Sequence, residues 1–150
     1  MKNKTLIFSL IAVFVLVLLA GCSSEKVSER ITSFIEGISG PIEIEEITVC
    51  KNVDTDYSPI DPTDIFPSGT EIVYLSVKIN NMTREDKLTV KWNYLESGEE
   101  ISTTDFQTET PGSGYVGFSL AIEGAFPSGR YNAAVYLNNQ AQQTVEFSVE

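Results

Sequence analysis

The densest run of side chains able to do chemistry is NVDTDYSPIDPTD, residues 52–64, which carries Asp54, Asp56, Asp61 and Asp64. Carboxylates are hard oxygen donors, and Ca²⁺ gathers about 6–8 oxygens from short acidic loops of this kind. Pro59 and Pro62 stiffen the run. It lacks the central glycine and closing glutamate of an EF-hand loop. Two readings therefore stand: a calcium site at Asp54, Asp56, Asp61 and Asp64, or a solvated loop joining the first two strands. Tyr57 and Phe66 flank the run and offer an aromatic contact to a glycan or a protein.

Catalytic groups are scarce by comparison. The chain has no histidine, which removes the commonest general base and the Ser-His-Asp arrangement. Cys50 has no base beside it, and Lys51 points to the opposite face of a strand, so nothing electropositive activates the thiol. The 21 acidic residues offer many carboxylate pairs, but acid and base roles require two environments that differ. A carboxylate-based envelope hydrolase needs two acids facing each other across a cleft, which the pattern does not suggest. The expectation is a protein that is not an enzyme.

The first 21 residues have a different character. Lys2 and Lys4 precede an apolar run from Leu6 to Leu19, and the small pair Ala20-Gly21 leads into Cys22. No basic anchor follows, so this is the layout of a secretory signal rather than a stop-transfer helix. Leu19-Ala20-Gly21-Cys22 resembles the lipobox of bacterial lipoproteins. The resemblance implies cleavage before Cys22, diacylglycerol in thioether linkage on its sulfur, and acyl chains such as palmitate. It implies a protein held at the extracytoplasmic face of the cell membrane, with the membrane as a partner through Cys22. Two or more acyl chains anchor stably where one is marginal, at about 0.8 kcal/mol per buried CH₂.

Without residues 1–21 the chain keeps eight basic residues against 21 acids, a formal charge of −13. Such a surface repels polyanions, so no nucleic-acid partner is expected. With Cys22 lipidated, Cys50 is the one remaining thiol and forms no intrachain disulfide. It is either buried or a dimerisation handle, and its setting in Thr48-Val49-Cys50-Lys51 points to burial.

Residues 22–40 read as a tether. Within them Ile31, Phe34, Ile35 and Ile38 share one helical face, in a helix of about three turns that is too short to stand alone. It is a helix packed on the domain, a membrane-surface helix or a partner-binding helix.

From residue 41 to 150 the period becomes two. Val73, Leu75, Val77 and Ile79 alternate with polar residues, as do Leu88, Val90, Trp92 and Tyr94. The same holds for Val116, Phe118 and Leu120, for Tyr131, Ala133, Val135 and Leu137, and for Val145, Phe147 and Val149. Strict alternation is what half-buried antiparallel strands need. A first strand over 42–51 slips phase at Glu45-Glu46, which predicts a β-bulge. Residues 100–109 form a polar edge strand. Turns fall at Asn80-Asn81, Ser97-Gly98, Pro111–Gly114 and Asn138-Asn139.

About seven short strands without intervening helices predict an all-β, antiparallel two-sheet sandwich. Trp92, inward on the third strand, resembles the core tryptophan of immunoglobulin-like domains. That resemblance implies such a domain over 41–150, without the inter-sheet cysteines of the antibody type. The tetrapeptide FPSG occurs at Phe66–Gly69 and again at Phe126–Gly129. It predicts equivalent turns into two strands, each central in an opposite sheet, with Tyr131 as a corner tyrosine. The functional expectation is a lipid-anchored, non-catalytic binding or adaptor module facing an envelope protein or glycan. A calcium-dependent module is the alternative.

Overall fold

The computed structural model describes residues 40–150. The leader, Cys22 and the helix expected around Ile31–Ile38 lie outside the described residues. Nine strands form two sheets: β1 (Glu43–Val53), β2 (Pro59–Pro62), β3 (Ile65–Phe66), β4 (Ile72–Met82), β5 (Leu88–Tyr94), β6 (Glu99–Phe106), β7 (Gly112–Ala121), β8 (Gly129–Leu137) and β9 (Gln140–Val149). One sheet has the order β2-β1-β4-β7 and the other β3-β9-β8-β5-β6. Chain crossings at β2–β3, β3–β4, β4–β5, β6–β7 and β7–β8, with hairpins at β1–β2, β5–β6 and β8–β9, give an immunoglobulin-like sandwich.

Alternation explains the core. Val73, Leu75 and Val77 of β4 are fully buried, as are Leu88 and Val90 of β5 and Ala133 of β8. Each buried valine or leucine contributes about 1.5–3 kcal/mol over its exposed form. Aromatic rings fill one end of the sandwich. Phe147 stacks on Tyr131 at 5.2 Å, and the edges of Phe66, Trp92 and Phe126 meet it at 5.6, 6.2 and 6.3 Å. The two FPSG phenylalanines thus converge on one ring. Their turns feed β4 and β8, each interior to its own sheet. The Trp92 indole Nε1 is buried without a hydrogen-bond partner.

The bulge predicted at Glu45-Glu46 is present, since the β1–β4 register shifts between Ile44 and Glu46. Glu45 reaches out from it to Lys78 at 2.7 Å. The hairpin at Asn138-Asn139 has both residues at positive φ, 51° and 65°, the requirement of a two-residue type I′ turn. Tyr131 donates from its hydroxyl to the Pro127 carbonyl at 2.6 Å, the bond that defines a tyrosine corner.

Three expectations need correction. The strands number nine, because the segment after β1 forms two short ones that the pattern did not reveal. Asn80-Asn81 is no turn: β4 runs to Met82 with an irregularity there, Asn81 at φ 56°, and the turn is Thr83–Asp86, closed by the Asp86 amide on the Thr83 carbonyl. β7 begins at Gly112, so the crossover from β6 ends at Pro111.

Strand direction defines two ends. The base carries Gly40-Pro41, Thr83–Lys87, Gln107–Pro111 and Asn138-Asn139; the top carries both FPSG turns, Leu95–Gly98 and Glu150.

Candidate functional site

The acidic run splits into three pieces. The β1–β2 turn is closed by Tyr57 N to Asp54 O and Asp54 N to Ser58 O, both 2.9 Å. Asp54 accepts from the Thr55 amide at 2.6 Å, and Asp56 accepts from the Ser58 amide and hydroxyl at 3.0 and 2.6 Å. The Ser58 hydroxyl and then its amide hold the Asp56 carboxyl below its ordinary value. Asp61 sits on β2 at φ 49°. Asp64 leads into β3, which runs parallel to the end of β9, its carbonyl taking the Ser148 amide at 2.8 Å.

All four aspartates are exposed. Among the described residues no three Asp, Glu or Cys side chains converge into a group able to hold a metal ion. Asp54 and Asp56 instead serve the turn, while β2 and β3 carry the chain from the rim of one sheet to the rim of the other.

Tyr57 and Phe66 part company. Phe66 is 1% exposed and belongs to the aromatic core, so it does not stand out as a free aromatic contact; the inward phase of β3 decides this. Tyr57 is 52% exposed, at φ 65°, and lies across the outer face of the first sheet. Its carbonyl accepts from the Ser76 hydroxyl of β4 at 2.7 Å. Its ring covers Gly117 of β7, where an added Cβ would stand 2.5 Å from Cδ1. Glycine is required at 117 by this close approach.

Two polar groups on the outer side of the first sheet are buried. Val49 and Leu75 pair inward, so Cys50, one step on and paired with Tyr74, faces outward. It is nonetheless fully buried, as Ser76 nearly is: the Tyr57 carbonyl takes the Ser76 hydroxyl, and the Cys50 sulfur lies 3.9 Å from the Tyr74 carbonyl. Burial pushes the Cys50 thiol up, which leaves it unreactive. The expected burial of Cys50 therefore holds, but on the outer side of the first sheet rather than inside the core between the sheets.

The residues the sequence did not single out are Ile60, Ile65 and Ile72. With Tyr57 they are the large apolar side chains standing most exposed, at 38, 54, 43 and 52%. All four belong to the stretch 57–72, alongside Asp61, Asp64 and Glu71. Ile60 and Ile65 lie on strands too short to show an alternation, and Ile72 takes the outward phase at the start of β4.

Other polar groups are occupied structurally. On the second sheet Asp105 accepts from Thr89 at 2.6 Å and pairs with Lys87 at 3.1 Å. Those bonds, the hydroxyl first, depress its pKa. Asn93 bonds Asn132 at 2.8 Å, and Lys91 lies 5.8 Å from the centre of the Tyr136 ring. At the base, Asp86 takes the Thr83 amide and hydroxyl at 2.8 and 2.7 Å and the Asn138 amide at 2.8 Å. Burial pushes this carboxyl up, but the bonds from Asn138 and Thr83 outweigh it and hold it below its ordinary value.

No family model matches the chain, and no curated protein matches it either. Among solved structures, it is similar to an immunoglobulin-like protein from Pseudomonas aeruginosa, at 16% identity over 76% of this chain and 95% of the other, TM-score 0.47. A DUF3244 family protein from Bacteroides vulgatus, with an immunoglobulin-like β-sandwich, matches at 15% identity over 73% and 100%, TM-score 0.37. The alkylpurine DNA glycosylase AlkC of Pseudomonas fluorescens, bound to DNA with an abasic site analog, matches at 13% identity and TM-score 0.47. This match takes in 73% of the present chain and only 30% of the glycosylase. None of these likenesses bears on ligand or activity.

Proposed function

We propose that this protein is a non-catalytic binding module, held at the extracytoplasmic face of the cell membrane by acyl chains on Cys22, that docks another envelope protein. One observation carries the reading: Tyr57, Ile60, Ile65 and Ile72 are left in water along the segment 57–72, which passes from the rim of one sheet to the rim of the other. Exposed apolar groups rimmed by polar ones mark interaction surfaces. Asp54, Asp56, Asp61 and Asp64 beside them favour a partner with a basic rim, by charge complementarity. The lipobox resemblance supports the anchor.

Two measurements test this. Mass spectrometry of the mature chain gives an acylated N-terminal Cys22, and Cys22→Ser abolishes the acyl mass. A photo-crosslinking residue at Ile65 in intact cells traps one envelope protein, whereas the same residue at Gln142, on β9, traps none. An uncut leader refutes the anchor. Crosslinking that is equal at both positions, or a glycan rather than a protein at Ile65, refutes the partner.

A further inference from the structure

We infer that the free rim of β7 is a docking site for an extended strand of a partner polypeptide. This rim is the in-plane edge of the strand whose outer face carries the Tyr57 ring at Gly117 and whose end pairs with Ile72. The four rims of the two sheets are not alike. β2 is four residues long with proline at both ends, and β3 is two residues long. β6 carries Glu99, Glu100 and Asp105. These are the devices by which proteins blunt strand edges. β9 is capped by β3 at Ser148 and Val149, and the rest of the strand carries Gln140, Gln142, Gln143, Thr144 and the charged Glu146. β7, by contrast, reads GSGYVGFSLA, ten residues with neither a charge nor a proline. It pairs with β4 on one side and, among the described residues, with no strand on the other.

An open rim supplies backbone hydrogen bonds, and pockets for alternate side chains supply selectivity. Two apolar clefts provide the pockets: one beside the start of β7, lined with β4 and the end of β6, and one just past its end at Ile122, lined with β5, β6 and β8. The lower, of about 310 Å³, lies between Phe106, Pro111, Met82 and Val116. The upper, of about 240 Å³, lies between Ile101, Ile122, Pro127 and Tyr94. Measured along β7, the clefts sit at Gly114–Val116 and at Ile122, six to eight residues apart. An even spacing places both anchors on one face of an added strand, about 20–26 Å from each other.

Charge selects the occupant. Glu99 and Glu123 stand exposed by the upper cleft with no ion pair among the described residues, whereas at the lower cleft Glu109 is accompanied by Arg84, which donates to its carbonyl at 2.6 Å, so the acidic character lies at the upper end. A second copy would bring the same carboxylates together, and the chain already carries a net charge of −11. The rim therefore suits a basic segment: two large apolar residues six or eight positions apart, with Lys or Arg between or beside them.

The test uses the full-length chain in detergent micelles and a displayed library of ten-residue segments. Each library member has an apolar residue at every second position and Lys, Arg, Ser or Thr between. Enriched peptides are expected to show the even anchor spacing, to bind at micromolar concentration and to slow amide exchange within Ser113–Ala121. Methylating alternate peptide nitrogens separates the two sides of the strand: one phase loses binding at least tenfold and the other keeps it. Ile101→Lys, at a half-buried position, weakens binding by a similar factor. No enrichment, protection outside β7, or equal loss in both methylation phases overturns the proposal. Protection of the same amides that rises with protein concentration and needs no peptide assigns the rim to a second copy, which also overturns it. The Ile65 crosslink is untouched by any of these results, so the earlier reading stands or falls separately.

Discussion

Replacing Tyr131 with phenylalanine removes one oxygen from the most densely packed part of the molecule. The ring contacts survive: stacking on Phe147 at 5.2 Å and the edge contact with Phe126 at 5.3 Å need no hydroxyl. What is lost is the 2.6 Å bond to Pro127 O, made by a residue only 1% exposed. A net hydrogen bond is worth about 0.5–1.5 kcal/mol, and stranding a buried partner adds to that. Pro127 itself is exposed, so its carbonyl finds water and the addition is small. The expected cost is about 1–2 kcal/mol. For a domain of this size each kcal/mol moves the midpoint by about 3–5 °C, so the melt followed by circular dichroism falls by about 3–10 °C.

Tyr94→Phe is the internal control. It removes a 3.0 Å bond to Ser128 O at an exposed position, where water substitutes, and shifts the midpoint by less than about 2 °C. Burial and then the neighbouring Tyr94 push the Tyr131 phenol above its ordinary 10.0. Its contribution is therefore whole below pH 10 and lost as pH rises through the raised value, a loss absent in Tyr131→Phe. If Tyr131→Phe costs no more than Tyr94→Phe, the corner bond does not hold the β7–β8 crossing and the reasoning fails.

Gly117→Ala displaces the Tyr57 ring, so the single variant and Tyr57→Ala each destabilise. The double variant costs less than their sum by about 1 kcal/mol in urea titration, and strict additivity would show that the ring does not seat on β7. Asp86 has a depressed folded pKa, so the stability it confers is present above the unfolded carboxylate range and is lost as pH falls through the folded value. The gap in midpoint between the native chain and Asp86→Asn is widest near pH 7 and closes in acid; a gap constant with pH refutes the charged role. Millimolar Ca²⁺ leaves the midpoint where chelator leaves it, because the four aspartates do not converge; a rise abolished by Asp54→Asn would establish the ion site. Cys50 in the chain carrying Cys22→Ser resists alkylation by N-ethylmaleimide until urea unfolds it, and rapid labelling of the folded form would mean that it is not buried.

Long strands were legible because one buried face forces a period of two, which β7 and β8 keep throughout and β4 keeps from Val73 to Ile79. The bulge at Glu45-Glu46 showed as a phase slip, and the repeated FPSG showed as composition. The piece from Asp54 to Phe66 was not legible. Strands of two and four residues hold too little sequence for a period, and their pairing with β9 and β1 is set by crossing geometry. Tyr57 could be named from its type, but its seat on Gly117 depends on the turn folding back some 60 positions away in sequence from β7. Phe66 was misjudged because its inward phase is fixed by β3 lying against β9. The open rim of β7 was visible only as an uncharged strand, since neighbours decide what counts as an edge.

β1 starts at the base and β9 finishes at the top, and this has a mechanical consequence. A pull between Gly40 and Glu150 drags β1 lengthwise past β4, along the ladder from Glu43 to Cys50. It drags β9 lengthwise past β8, and past β3 at Ser148 and Val149. Both terminal strands are then loaded in shear, so the bonds of each ladder must yield together instead of unzipping one at a time. A domain connected this way transmits tension along its long axis with little give, as a stiff spacer between whatever holds its two ends.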